Sequence, residues 1–248
     1  MKFRMFLLAI FVVSLSLSYF AEIKPIRDFA QAFLLGQVEE KKVIIMFASP
    51  YCGWCRKFER DNFKNAEVEK LVKNNYIFAE IYADPNKKVK LGDKVLNYAQ
   101  LFSYFRVRGT PTIWFFEPTG RGITYIPGYV PPATFSKILR YISEEAYKKV
   151  KWDEYKEDKN YFGEPKLVKL GEREYEFILD NDPYVILLEN EASLTSLDRF
   201  GRYVVRSESL AKKMIEDGFY NVFLFPGEKR SQATETKTTT PSTYIEGW

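Results

Sequence analysis

Histidine is absent from all 248 residues, so no Ser-His-Asp or Cys-His catalytic pair can be assembled and no imidazole can ligate haem or a metal. A glycine-rich phosphate loop is also missing. The formal charge is only +4, without the concentrated basic stripe of a nucleic-acid binder, so no nucleic-acid partner is expected. Cysteine occurs twice. Thiol exchange is thus left as the main visible chemistry.

Both cysteines lie in Cys52-Gly53-Trp54-Cys55, directly after the apolar run Val43-Ile44-Ile45-Met46-Phe47. The run predicts a buried strand, Ala48-Ser49-Pro50-Tyr51 a turn, and Cys52 onward a helix. Two thiols at that spacing can close into a disulfide and reopen. A helix N-terminus carries unsatisfied N–H groups and the positive end of the macrodipole, which favour a thiolate at Cys52. Arg56 and Lys57 add positive charge, partly screened by solvent. Cys52 is therefore the expected nucleophile and Cys55, one turn inward, the resolving thiol. A zinc site would have to complete its ligand set with carboxylates alone. A static structural disulfide across so short a loop would remove little unfolded-chain entropy.

From residue 23 to about 150 the chain resembles the thioredoxin family. The resemblance rests on the strand before the cysteines, the Cys-Gly-Trp-Cys helix start, the strand Tyr76-Ile77-Phe78-Ala79-Glu80-Ile81-Tyr82, and Val107-Arg108-Gly109-Thr110-Pro111-Thr112 leading into Ile113-Trp114-Phe115-Phe116. It implies a central mixed sheet flanked by helices and a cis-proline at Pro111 lying against the disulfide. Thr110 would then offer a free backbone edge to an extended substrate segment. A plain strand-entry proline is the alternative.

Cys-Gly-Trp-Cys-Arg-Lys-Phe-Glu, the insertion 86–97, Arg106 to Thr112 and Ile126-Pro127-Gly128-Tyr129-Val130-Pro131-Pro132 resemble a secreted, SoxW-like subgroup of thioredoxins. That likeness implies reduction of disulfides in extracytoplasmic proteins, with electrons from a membrane thiol donor such as a DsbD/CcdA-like transporter. No cofactor is implied beyond the redox-active Cys52–Cys55 pair.

Two positions depart from the family pattern. Typical thioredoxins carry a buried aspartate six residues before the first cysteine, and this chain has Met46 there. Glu80, where many thioredoxins have lysine, is the candidate to supply that carboxylate for proton transfer. The alternative is a solvated strand-edge glutamate, since alternation does not tell which face is buried. Trp54 is expected to give partners contact area as an exposed aromatic.

Lys2 and Arg4, the apolar stretch from Met5 to Val13 and then Ser14-Leu15-Ser16-Leu17-Ser18 form the three regions of a secretory signal peptide. Cleavage after Ser18 and an uncleaved anchor both fit its length. Either way a periplasmic or otherwise extracytoplasmic location is expected. Without residues 1–18, 35 basic against 33 acidic residues remain, so the basic excess is largely an export feature.

The predicted layout is a signal at 1–18, a thioredoxin-like domain at 23–150, a charged linker at 151–160, a small α/β domain at 161–227 and a disordered threonine-rich tail at 228–248. Helices are expected over 26–40 and 134–149. The linker reads as a solvated helix extension or a hinge. In the second unit, 167–170 and 175–179 read as a hairpin, with strands at 184–188, 203–205 and 222–225. Ser207 caps a helix that Gly218 ends. The segment from Arg206 to Val222 faintly resembles the last helix and strand of rhodanese domains. It lacks the persulfide-forming cysteine of a sulfurtransferase, so the unit reads as a recognition module or a packing appendage.

These expectations combine into an exported, thioredoxin-like thiol–disulfide oxidoreductase acting as a protein-disulfide reductase. Two other readings remain open: an isomerase or oxidase using the same site, and a binding protein acting through residues 161–227.

Overall fold

The computed structural model describes residues 23–188 and 194–227, together with the backbone of 244–245. The signal segment 1–18 and the tail residues 228–243 and 246–248 lie outside the described residues. Among the described residues, no helix is long and apolar enough to cross a membrane.

The first unit runs α1 (Phe29–Val38), β1 (Lys42–Ala48), α2 (Gly53–Asn62), α3 (Ala66–Asn75), β2 (Tyr76–Tyr82), β3 (Lys88–Leu91), β4 (Lys94–Asn97), α4 (Tyr98–Tyr104), β5 (Thr112–Phe116), β6 (Gly122–Pro127) and α5 (Pro132–Ser143). Its sheet has the order β2-β1-β5-β6. Strands β1 and β2 are parallel, and β5 and β6 are antiparallel to their neighbours. This is the thioredoxin fold, a mixed sheet flanked by helices. Strand β1 is buried almost throughout, which accounts for its continuous apolar run. Polar side chains start the helices: Asp28 accepts from the Gln31 N–H, Asn65 from those of Glu67 and Val68, and Asn97 forms a capping box with Gln100.

Helix α2 buries Cys55, Phe58 and Asn62, one stripe of its surface. Below the stripe lie Ile44, Met46 and Ala48 of β1 in one apolar cluster. The Phe58 ring meets Phe63 and Phe135 edge-on. The helix bearing the cysteines is thereby fixed to the central strand.

Helix α5 stops at Ser143, earlier than the expected 134–149, and a short 3-10 turn, Ala146–Lys148, follows a left-handed Glu145. Residues 151–160 form turns and coil rather than a helix extension. Buried Arg140 of α5 fastens this stretch, donating to the Tyr161 and Lys159 carbonyls and pairing with Glu157 and Glu67.

A further α/β region follows: β7 (Lys166–Lys169), α6 (Glu172–Asn181), β8 (Val185–Leu188), β9 (Arg202–Val205), α7 (Glu208–Glu216) and β10 (Asn221–Leu224). Its strands are all parallel in the order β7-β10-β9-β8. The expected hairpin is overturned, because 175–179 lies inside α6. Tyr175, Ile178 and Leu179 sit at helical spacing and Ile178 is fully buried. Ser207 caps α7 through the Leu210 N–H, and Gly218 follows it at φ +83°, a left-handed position that glycine takes without a Cβ clash. The backbone of β11 (Tyr244–Ile245) pairs in parallel with β3.

The second region shares the core of the first. Leu170, Ile178, Val204 and Phe223 lie in the same apolar cluster as Phe33, Leu35 and Val43. Beside them sits a buried charge cluster. Arg202, 2% exposed, pairs with Asp182 and Glu39 and donates to the Lys73 and Tyr76 carbonyls at the end of α3. Lys41 joins it, bonded to Glu39 and the Lys73 carbonyl. Burial pushes the Lys41 ammonium down to about 8 and raises the Glu39 carboxyl against the pull of Arg202.

Candidate active site

Strand β1 ends at Ala48, and the chain turns through Ser49 to Tyr51 into α2, whose N-cap is Cys52. Cys52 and Cys55 form a disulfide. The Cys52 sulfur accepts the Cys55 N–H at 3.0 Å, so one orphan donor of the helix start is already directed at it. Cys55 is 1% exposed, whereas Cys52 is half-buried and Tyr51 and Trp54 on either side are 92% and 59% exposed. Solvent and partners therefore reach the first sulfur and not the second.

The loop before β5 covers the disulfide. The Thr110–Pro111 peptide is cis, and the Thr110 carbonyl oxygen lies 3.3 Å from the Cys52 sulfur. Thr112 Oγ1 donates to the Gly109 carbonyl and the Gly128 N–H to that of Pro111, which fixes the loop on both sides. Cys52, Cys55, Trp54, Thr110 and Pro111, five of the residues singled out in the sequence, are thus gathered around one face.

Glu80 is not a solvated strand-edge residue. It is 1% exposed and lies in register with Met46, on the β2 neighbour of β1. Its face is that of Phe78, and Met46, Phe78 and Cys55 belong to one cluster. Burial pushes its carboxyl up to about 7, opposed by the Arg27 guanidinium and reinforced by Glu59 on α2. Arg27 forms an ion pair with Glu80 and stacks over the Tyr82 ring at 5.0 Å.

Sequence reasoning missed two groups of residues. Arg27 immediately precedes the α1 cap and no local pattern ties it to residue 80. Tyr129, noticed only within a loop motif, latches the loop after β6 to α2. Its hydroxyl donates to Asp61 at 2.7 Å, the Lys57 ammonium lies 4.7 Å from its ring centroid, and Trp54 packs 5.7 Å away. Asn62 completes the latch with a bond to the Val130 carbonyl. Hydrogen bonds from Lys57 and then Tyr129 hold the Asp61 carboxyl below its usual range. A polar Asn62 on the apolar stripe of α2 was the one available signal.

Fold and site together give a thioredoxin fold that carries a Cys-X-X-Cys disulfide at the start of α2. Residues 30–143 match the family model described as a thioredoxin-like domain. A thiol:disulfide interchange protein DsbD of Yersinia pestis is 27% identical over 109 residues, which are 43% of this chain and 17% of that protein. The chain thus spans well under two thirds of this curated relative. A putative thioredoxin-like protein 453L of Invertebrate iridescent virus 6 is 38% identical over 72 residues, 26% of this chain and 50% of that one. Among solved structures, a thioredoxin from Thermus thermophilus is 21% identical and aligns with 53% of this chain and 96% of its own at a TM-score of 0.41.

Proposed function

We propose that this protein is an exported thiol–disulfide oxidoreductase that reduces disulfides of extracytoplasmic proteins. The observation that carries the reading is the half-buried Cys52 at a helix N-cap, disulfide-bonded to a buried Cys55 beside the Thr110–Pro111 loop. In the reduced protein the Cys52 thiolate, favoured by the helix terminus, attacks one sulfur of a partner disulfide. The partner S–S bond breaks, a mixed disulfide forms, and the partner's second sulfur leaves as a thiolate that takes up a proton. The Cys55 thiolate then attacks Cys52, expels the partner's first sulfur, and re-forms Cys52–Cys55. Two electrons pass to the partner, and a membrane thiol donor of the DsbD/CcdA kind returns them.

Glu80 accepts the Cys55 proton in this scheme. Its burial, its position opposite Met46 and a carboxyl that holds its proton up to about 7 support that role. Trp54 supplies contact area and Thr110 and Pro111 present backbone to an extended partner segment. The signal-type segment 1–18 supports export, and the motifs around Cys52, Arg106 and Ile126 support a SoxW-like subgroup. The region 161–227 serves as a docking module. A Cys55→Ser variant tests the reading: Cys52 should accumulate mixed disulfides with envelope proteins, released by dithiothreitol and absent from Cys52→Ser. Equal trapping by both variants would count against Cys52 as the nucleophile.

A further inference from the structure

The charges around Cys52 are of one sign where they are free to meet a partner. Arg56 and Arg60 of α2 and Arg108, two residues before Thr110, are all exposed. Arg56 donates to the Pro50 carbonyl at 3.0 Å, which holds its guanidinium across the turn that leads into Cys52. Among the described residues no carboxylate pairs with Arg56 or Arg108. The carboxylates of the same helix are occupied or turned inward. Asp61 is taken by Lys57 and the Tyr129 hydroxyl, with Arg60 at 3.5 Å, and Glu59 acts on the buried Glu80. Asp84, in the loop that leaves β2 at this end of the sheet, accepts the Asn86 N–H within its own loop, and Lys87 beside it donates to the Arg27 carbonyl. The loop 128–131 bears no charge.

We infer that this rim selects disulfides carried on acidic segments, with Arg108 and Arg56 as the specificity-determining residues. The inference rests on the proposed thiol exchange and adds the chemical class of partner. An extended segment bound beside Thr110 brings the residues flanking its cysteine over Arg108 on one side and over Arg56 on the other. Charges meeting at an exposed rim act mainly on the rate of productive encounter and are weakened by salt. Two unscreened contacts at ~10 Å in water are together worth roughly a fourfold change in rate, and reversal of the partner's charge doubles that on a logarithmic scale.

The test uses three peptides that each hold one disulfide, flanked by glutamates, glutamines or lysines, and follows thiol exchange with the protein in both redox directions. Exchange in the order glutamate, glutamine, lysine is expected, with a glutamate-to-lysine ratio of about tenfold or more at ~20 mM salt that shrinks severalfold at ~300 mM. In the double variant Arg56→Gln, Arg108→Gln that ratio should fall to within about threefold. Equal rates for the three peptides would overturn the inference while leaving the proposed exchange intact. Failure to exchange with any of them, in either direction, would overturn both.

Discussion

Replacing Glu80 by glutamine isolates a buried carboxyl next to the disulfide-bearing helix. The folded protein holds its proton up to about 7, while an unfolded chain releases it near ~4.3. Between those values the folded state binds more protons than the unfolded one, so this group's stabilising contribution is complete at low pH and is lost as pH rises through 7. A tenfold difference in proton affinity corresponds to ~1.4 kcal/mol. From about pH 4 to about pH 8 the ionisation of Glu80 therefore lowers stability by about 3 kcal/mol, a large part of the ~5–15 kcal/mol typical of a folded protein. Glutamine keeps the shape of the side chain and cannot ionise. The guanidinium it leaves unpaired, that of Arg27, is half exposed and returns to water. Urea unfolding of the oxidised protein across this range should show a pH-dependent loss in the wild type that Glu80→Gln lacks by about 3 kcal/mol. Parallel profiles for the two proteins would refute the argument, because they would mean that Glu80 ionises alike in the folded and unfolded chains. In the reduced protein the same substitution should flatten the pH dependence of exchange near neutrality, where Glu80 would take the Cys55 proton.

Arg202→Ala should cost about 3–5 kcal/mol, since it leaves Asp182 and Glu39 buried without their main cation and strips donors from two carbonyls; a loss below about 1 kcal/mol in urea unfolding would contradict the reading of that cluster. Gly36→Ala, although favourable for an isolated helix, should destabilise by about 1–3 kcal/mol in the same assay. Its new Cβ would meet Val43 Cγ2 at 2.6 Å and the Lys41 carbonyl oxygen at 3.0 Å. Trp54→Ala should raise KM for protein disulfides severalfold with little change in the reduction potential, and an unchanged KM would remove Trp54 from the partner surface.

The thioredoxin-like half was legible because its signals are local. A continuous apolar run, a turn and a Cys-X-X-Cys helix start occupy adjacent residues; in the second region the one helix read correctly, α7, is likewise marked locally, by Ser207 accepting the Leu210 N–H. The second region was read less well. Tyr175, Phe177 and Leu179 alternate as in a strand, but Gly171 opens a helix there, and Ile178 finds its place against α1 and the shared core. The cluster of Glu39, Lys41, Asp182 and Arg202 joins residues up to 163 positions apart, so no window of sequence contains it. Glu80 stood between two readings because a strand's period gives two faces without saying which one is covered. Packing of α2 over Met46 and Phe78 decides that question.

The most direct measurement is the reduction potential of the Cys52/Cys55 couple, obtained by equilibrating the protein with glutathione buffers and trapping its thiols. A dedicated reductase should give a value near that of thioredoxin, roughly −270 mV. A value of roughly −120 to −180 mV would make the protein an oxidant or isomerase and contradict the proposed direction of electron flow.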